Sequence, residues 1–165
     1  MSLEHESKAQ MEQRLEESWA EITALVDSVS PEELERPGVV EEWSVKDLLG
    51  HMAFWAAKAA GDAALLAEGR TAEIETPGGD AGTDEWNERE YRRRKDLPLP
   101  QVRQEWLGSF EDAKTALEAV PEDVLWQEVK GWPQAVRFRE DTYNHYREHA
   151  EQIRAWRRQL ETTEA

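Results

Sequence analysis

The stretch DTYNHYREHAEQIRAW, residues 141–156, contains two histidines four positions apart, His145 and His149. It has no proline or glycine, and its spacing of apolar residues is typical of an amphipathic helix. The helix is predicted to run from about residue 137 to 161. Both histidines fall on the stripe that faces the core, which comprises Phe138, Thr142, His145, His149, Ile153, Trp156 and Leu160.

Three further segments show the same helical periodicity. They span about residues 5–29, 44–69 and 100–120, and most glycines and prolines lie between them. The second begins at Ser44, which forms an acidic variant of the capping box with Asp47. Four long helices in a chain of 165 residues predict one all-α domain, a four-helix bundle spanning residues 1–165 with a frayed tail at 161–165.

The connection between the second and third long helices is unusually long for a bundle. It contains the loop TPGGDAG, residues 76–82, and then TDEWNEREYRRRK, which is predicted to form a helix capped by Thr83 or Asp84. A connection of this length leaves open whether the long helices simply alternate in direction. Because the chain has no alternating run of β-branched residues, no sheet is expected. Trp106 and Phe110, on the stripe of the third long helix, are predicted to be buried.

The charge balance argues against a nucleic-acid partner. Asp and Glu total 36 against 20 Lys and Arg, a formal net charge of −16. Such a surface repels a phosphate backbone. The basic clusters at residues 92–95 and 154–158 are flanked by acids, and they are interpreted as the solvated faces of helices.

The chain carries no sequence signal for a membrane or for secretion. Its longest apolar run, residues 51–67, contains Lys58 and Asp62 and is too short to span a bilayer. The polar first residues do not resemble a signal peptide, so a cytoplasmic protein is expected. There is no cysteine, which excludes disulfides and thiolate ligands, so any thiol chemistry requires a thiol from outside the chain.

Three histidines are candidates for a metal site. Residues four apart on a helix lie one turn apart, so the imidazoles of His145 and His149 can converge on one point. His51, at the border of the apolar stripe of the second long helix, can meet them if the two helices are neighbours. Three histidines without a fourth protein ligand are typical of an open site. The alternative is a set of core histidines that hydrogen-bond to Tyr, Asp or the backbone; His5 is expected to be exposed.

Two aspartates have a spacing that suits support of these ligands. Asp47 and Asp141 precede His51 and His145 by four residues, so each carboxylate can orient a ring. We favour the simpler interpretation for both, in which they are acids in the first turn of a helix and complement its dipole.

Three stretches resemble the DinB-like superfamily of bacterial four-helix bundles, including its branch of small self-resistance proteins. They are WSVKDLLGHMAFW (43–55), DEWNEREYRRRKDLPLPQV (84–102) and YNHYREHAEQIRAW (143–156). The resemblance implies a bundle with a long crossover connection and, for many members, a homodimer. It also implies a divalent metal ion, nickel or zinc, on His51, His145 and His149.

The resemblance suggests two hypotheses for function. Relatives include thiol-dependent transferases, a thiol-dependent maleylpyruvate isomerase and proteins that inactivate reactive toxins. The first hypothesis is a metal-dependent enzyme that acts on a small electrophile by hydrolysis or by transfer of a low-molecular-weight thiol. Its substrate is expected to contact Trp55, Tyr91 and Tyr143, with Trp86 nearby. The second is a non-catalytic bundle that binds or sequesters a small molecule, or that only dimerises. Both exclude nucleic acid and membranes as partners.

Overall fold

Helices account for most of residues 4–164, the part of the chain that the computed structural model describes. In chain order the elements are α1 (Lys8–Asp27), α2 (Pro31–Leu34), α3 (Val45–Ala67), a 3-10 turn (Thr71–Glu73), α4 (Asp80–Arg94), α5 (Leu99–Ala119), β1 (Glu128–Val129), β2 (Trp132–Pro133), α6 (Gln134–Asp141) and α7 (Tyr143–Glu164).

The capping box predicted for the second long helix is confirmed. Ser44 Oγ accepts a hydrogen bond from the backbone N–H of Asp47, and Asp47 Oδ2 accepts one from the backbone N–H of Ser44 at 2.9 Å. Asp47 is therefore a first-turn acid that caps α3, as the simpler interpretation of this residue held. The helix that it starts carries His51 in its second turn.

The long helices form the predicted bundle with a long crossover connection. Helix α3 packs most extensively against α5, and α1 packs against α7. The crossover from α3 to α5 contains α4. Trp106 and Phe110 are buried, as predicted, and the Trp19 ring lies parallel to Phe110 at 4.3 Å between centroids. Within the described residues, no helix is both long enough and apolar enough to cross a membrane.

The last helix is not continuous, and this corrects the sequence prediction. It is divided into α6 and α7 by Thr142, whose backbone (φ −123°, ψ −99°) is not helical. The Thr142 hydroxyl donates to the carbonyl of Phe138 at 2.6 Å, a local bond of the kind that competes with the helix ladder. Helix α7 extends to Glu164, so the predicted tail is helical up to that residue, and Ala165 lies outside the described residues.

Two further corrections concern the connections. Residues 128–133 form a two-stranded antiparallel hairpin where no strand was expected, with a turn at Lys130 (φ 51°) and Gly131 (φ 86°). Helix α4 begins at Asp80, not at Thr83 or Asp84, because the left-handed backbone of Gly78 and Gly79 completes the turn earlier. Both segments border the cavity that adjoins the histidines.

Residues 4–7 are fixed against the junction of α6 and α7. The buried Glu6 carboxylate accepts hydrogen bonds from the Tyr143 hydroxyl at 2.7 Å and from Arg139 at 3.1 Å. The Trp126 indole N–H donates to the Glu6 carbonyl, and the exposed ring of His5 stacks on Trp126. This cluster, which we call the Glu6 cluster, holds the start of α7 two residues before His145.

Candidate metal site and adjoining cavity

The structure brings the three candidate histidines together. His145 Nε2 lies 2.9 Å from His51 Nε2 and 2.8 Å from His149 Nε2. One ligand atom from each residue lies within 4.8 Å of the others. His51 comes from α3, and the other two come from successive turns of α7, so the site depends on the contact between these helices.

The donor set fits a cation better than it fits a hydrogen-bonded cluster. His149 Nδ1 lies 2.6 Å from Gln152 Oε1, and since the amide oxygen only accepts, Nδ1 carries the proton and Nε2 has a free lone pair. His145 Nε2 faces two other Nε2 atoms, and a neutral ring has at most one proton there. One proton cannot satisfy both contacts in good geometry, whereas a cation can accept all three lone pairs.

Burial keeps the three rings neutral. It lowers the pKa of His51 to about 3, with a smaller contribution from the charge of His149. Burial also lowers the pKa of His145, together with repulsion from the other two rings, and it lowers that of His149 against the opposing hydrogen bond from Gln152. Neutral imidazole is the form that binds metal, so the rings are ready ligands at pH 7.

The lowered pKa values predict that these histidines destabilise the folded state of the metal-free protein at acidic pH. Because the folded-state values lie below the unfolded value of about 6.5, the unfolded state binds more protons as the pH falls below 6.5. We expect a loss of about 1–3 kcal/mol between pH 6.5 and 5, measured by urea unfolding with a chelator. Asp141 acts in the opposite direction, because burial raises its pKa to about 7.

The informative quantity is therefore the change in the free energy of unfolding with pH, compared between wild type and a His51→Gln, His149→Gln double variant. This variant lacks two of the titrating rings. His5→Gln is the matched control and should behave as wild type does, since His5 is exposed. Equal pH dependence in the wild type and the double variant would contradict the assignment of buried, neutral rings.

An open cavity of ≈ 490 Å³ adjoins the site. His51 and His145 contribute to its wall, and Trp55 lies one turn beyond His51 on the same helix. The Trp55 indole N–H donates to Asn87 Oδ1 at 2.9 Å, which ties α4 to α3. Trp132 of the hairpin also lines the cavity and is partly exposed to solvent. A small molecule in this space would lie next to two of the three histidines.

The other aromatic residues expected at the substrate lie elsewhere. Tyr91 stacks on Trp43 at 5.3 Å between ring centroids, on a separate small cavity that also borders His51. Tyr143 is buried in the Glu6 cluster and does not line the cavity. Trp86 lies against Trp55 rather than on the cavity wall. Of the candidate pocket residues, only Trp55 therefore stands beside the histidines in the large cavity.

Sequence reasoning missed a group of charged residues in the same cavity. Lys58 and Asp62, one turn apart on α3, form an ion pair at 2.7 Å and are mostly buried. Arg137 of α6 donates to the carbonyls of Val129 and Lys130. The available signal was a Lys and an Asp at i, i+4 inside an otherwise apolar helix.

Asp141 also lines the cavity, and its position corrects the interpretation given above. It is the last residue of α6, so it is not a first-turn acid that complements a helix dipole. Its carboxylate makes no hydrogen bond within the described residues, and protein surrounds it on most sides. Burial raises its pKa to about 7, against the opposing charge of Lys58 and with a smaller contribution from the charge of Asp62.

A helical bundle of this topology, with three histidines from two helices beside an open cavity, has a DinB-like fold. The sequence profile of the family described as the mycothiol maleylpyruvate isomerase N-terminal domain matches residues 15–151, and the chain belongs to that family. A comparison with curated protein sequences found no match.

Solved structures share the fold at low sequence identity. An uncharacterised protein from Escherichia coli UTI89 has a TM-score of 0.81 with 16% identity, over 95% of this chain and 96% of that one. The colibactin self-resistance protein ClbS, solved in complex with a double-stranded DNA, has a TM-score of 0.78 with 14% identity, over 90% and 94%. The sibling lethal factor precursor DfsB has a TM-score of 0.78 with 13% identity, over 95% and 98%. At such identities the likeness concerns the fold alone.

Proposed function

We propose that the protein holds one divalent metal ion, nickel or zinc, on His51, His145 and His149 and acts on a small electrophilic molecule in the adjoining cavity. The observation that carries the proposal is the convergence of three neutral Nε2 atoms with more lone pairs than protons can satisfy. For an ion at about 2.0–2.1 Å from each nitrogen, separations of 2.8 and 2.9 Å correspond to angles of about 90° between neighbouring ligands, and a tetrahedral ion would require the rings to move apart by about 0.5 Å.

The proposed reaction is hydrolysis or transfer of a thiol. A divalent ion held by the three imidazoles would supply Lewis-acid chemistry, lowering the pKa of a water or thiol and polarising an electrophile. The chain itself contributes the cavity wall, with Trp55 to pack against the substrate and Gln152 to hold the His149 ring in its Nε2-ligating orientation. Because the chain has no cysteine, a thiol would come from a second substrate, and the family's name refers to one such thiol, mycothiol.

A non-catalytic binding protein is the second candidate, and the size of the cavity favours it as well. The test is elemental analysis of the untagged protein, followed by turnover assays with a panel of electrophiles, with and without added thiols. We expect about one metal ion per chain and turnover that a chelator abolishes. Metal-free protein that binds panel members without converting them would support the binding function instead.

DNA is not part of this proposal, although the similar protein ClbS was solved with it. The net charge of −16 opposes binding, and acids pair with the basic clusters. Arg94, for example, contacts Glu90 at 2.7 Å and Glu105 at 2.8 Å. We expect no mobility shift with duplex DNA at about 150 mM salt. A salt-sensitive shift at sub-micromolar protein would contradict this expectation.

A homodimer remains a further implication of the family resemblance. Within the described residues, the large hydrophobic side chains that are well exposed are Leu107 and Trp132. Trp132 lies at the mouth of the cavity, so an interface there would restrict access to the site. Light scattering of wild type and Leu107→Glu measures whether the chain associates and whether α5 is the surface involved.

A further inference from the structure

Acidic side chains outnumber cationic ones on the wall of the cavity. Two cationic and four acidic side chains line it. Lys58 is already paired with Asp62 at 2.7 Å. Arg137 donates through Nη2 to two backbone carbonyls, which are neutral and leave its positive charge in place, and its Nε is buried without a partner. Because the acids outnumber the cations, the cavity wall disfavours a carboxylate or phosphate group and favours a cation.

Two of the acids make no direct contact with a cation. The carboxylates of Asp141 and Glu148 form no hydrogen bond or ion pair within the described residues, and Lys58 and Arg137 act on Asp141 only from a longer distance. Asp141 is surrounded by protein on most sides with part of its surface open, and it lines the cavity four residues before His145. Burial of a carboxylate is unfavourable unless a donor or a positive charge approaches it. A ligand that brings such a group would satisfy Asp141.

The apolar part of the wall is aromatic. Trp55 and Trp132 line the same cavity as the unpaired acids. The Trp55 indole N–H is occupied by Asn87, so this side chain offers its ring rather than a donor. Indole rings attract cations to their faces and pack well against flat apolar groups. Aromatic rings together with unpaired carboxylates are typical of sites that recognise ammonium groups.

We propose that the cavity accepts amine-bearing, positively charged small molecules with a flat apolar part, and that it discriminates against carboxylates and phosphates. Asp141 and Glu148 accept the ammonium group, and Trp55 and Trp132 pack against the apolar part. This inference rests on the proposed function in one respect, since it takes the same cavity as the substrate site. It departs from the dicarboxylate, maleylpyruvate, that the family's name specifies.

Three probes that differ only in their head group test this inference. They are 2-phenylethylamine, which is cationic at about pH 7.5, the neutral 2-phenylethanol and the anionic 3-phenylpropanoate. Titration of metal-free, ¹⁵N-labelled protein follows the indole N–H signals in NMR spectra. We expect the amine to bind about five- to tenfold more tightly than the alcohol and the acid to bind most weakly, with the largest shifts at Trp55 and Trp132.

Variants with a carboxyl group changed to an amide identify the groups responsible. Asp141→Asn should remove most of the preference for the amine over the alcohol. Glu148→Gln should weaken the amine less, and because Glu148 is exposed this variant remains informative if Asp141→Asn does not fold. Asp112→Asn, an exposed residue of α5, makes the same change in charge away from the cavity and should have no effect.

Equal affinity for all three probes would overturn the inference, as would tighter binding of the acid. Amine shifts that fall outside the cavity, or that Asp112→Asn reduces as much as Asp141→Asn does, would also overturn it. The titrations use metal-free protein, so their failure is distinct from a failure of the metal site. A repetition with metal-loaded protein then shows whether the preference persists when positive charge is added at the histidines.

Discussion

Replacement of His149 by alanine is expected to abolish most of the rise in melting temperature that Ni²⁺ or Zn²⁺ produces in the untagged protein. A ligand that binds only the folded state stabilises it by about 2.7 kcal/mol at a concentration of 100 times its Kd. For a chain of this size, that corresponds to a shift of about 5–10 °C. His149→Ala removes one of three ligands and the ring that Gln152 orients, so calorimetry should show a large loss of affinity.

His5→Ala is the control for this experiment. His5 is a solvent-exposed histidine that stacks on Trp126, away from the three converging rings. This variant should retain both the thermal shift and the calorimetric signal of the wild type. Equal metal affinity in wild type and His149→Ala would mean that the three rings are only polar residues of the core.

The pH dependence of metal binding follows from the burial of the three histidine rings. The sequence alone suggests that affinity falls through about pH 6.5, the reference value for histidine. Since burial lowers the pKa of all three rings, protons compete with the metal only at lower pH. Affinity measured by calorimetry should therefore remain nearly constant from about pH 8 down to 6.5, and a decline that begins above this range would contradict the structure.

The second large effect concerns stability. Trp106→Ala is expected to lower the free energy of unfolding by about 3–5 kcal/mol, because it leaves a large cavity in the core. The Trp106 side chain is 1% exposed and lies 4.5 Å from Trp19 between ring centroids. Urea unfolding followed by circular dichroism measures the loss. A change below about 1 kcal/mol would show that this face of α5 is not in the core.

Two further variants test whether the loss of stability in Trp106→Ala comes from lost core packing. Trp106→Phe should be much less destabilising than Trp106→Ala, because it keeps most of the ring and removes an indole N–H that is buried without a partner. Leu107→Ala changes the neighbouring, exposed side chain and should alter stability by less than about 0.5–1 kcal/mol.

The parts of the fold that the sequence predicted were those with strong local signals. The capping box at Ser44 located the start of α3 to the residue, and the apolar stripe of α5 correctly placed Trp106 in the core. The break at Thr142 has no such signal, because a single threonine can also lie within a continuous helix and its bond to the Phe138 carbonyl is recognisable only in three dimensions. The early start of α4 depends on the left-handed backbone of Gly79, which a pair of glycines permits but does not require.

The candidate site also has parts that the sequence predicts and parts that only the structure reveals. The i, i+4 spacing predicts that His145 and His149 lie on one face, and the structure adds that His51 reaches them from α3. Helical spacing also argues against Tyr143 as a pocket residue, because residues two apart on a helix do not share a face. Tyr143, two residues before His145, accordingly faces Glu6, whereas Asp141, four residues before His145, faces the cavity. The charged cavity wall escaped prediction because α3 and α6 are far apart in the sequence.

The Glu6 cluster also has a consequence for the order in which the protein is made. Glu6 is separated by 137 residues from Tyr143, with which its carboxylate shares a hydrogen bond, and by 133 from Arg139. On the ribosome, its carboxylate is synthesised long before either partner and stays hydrated until α6 and α7 emerge. Two of the three histidines lie in α7. The docking of residues 4–7 and the completion of the histidine cluster thus depend on the same segment, and a nascent chain would acquire both together.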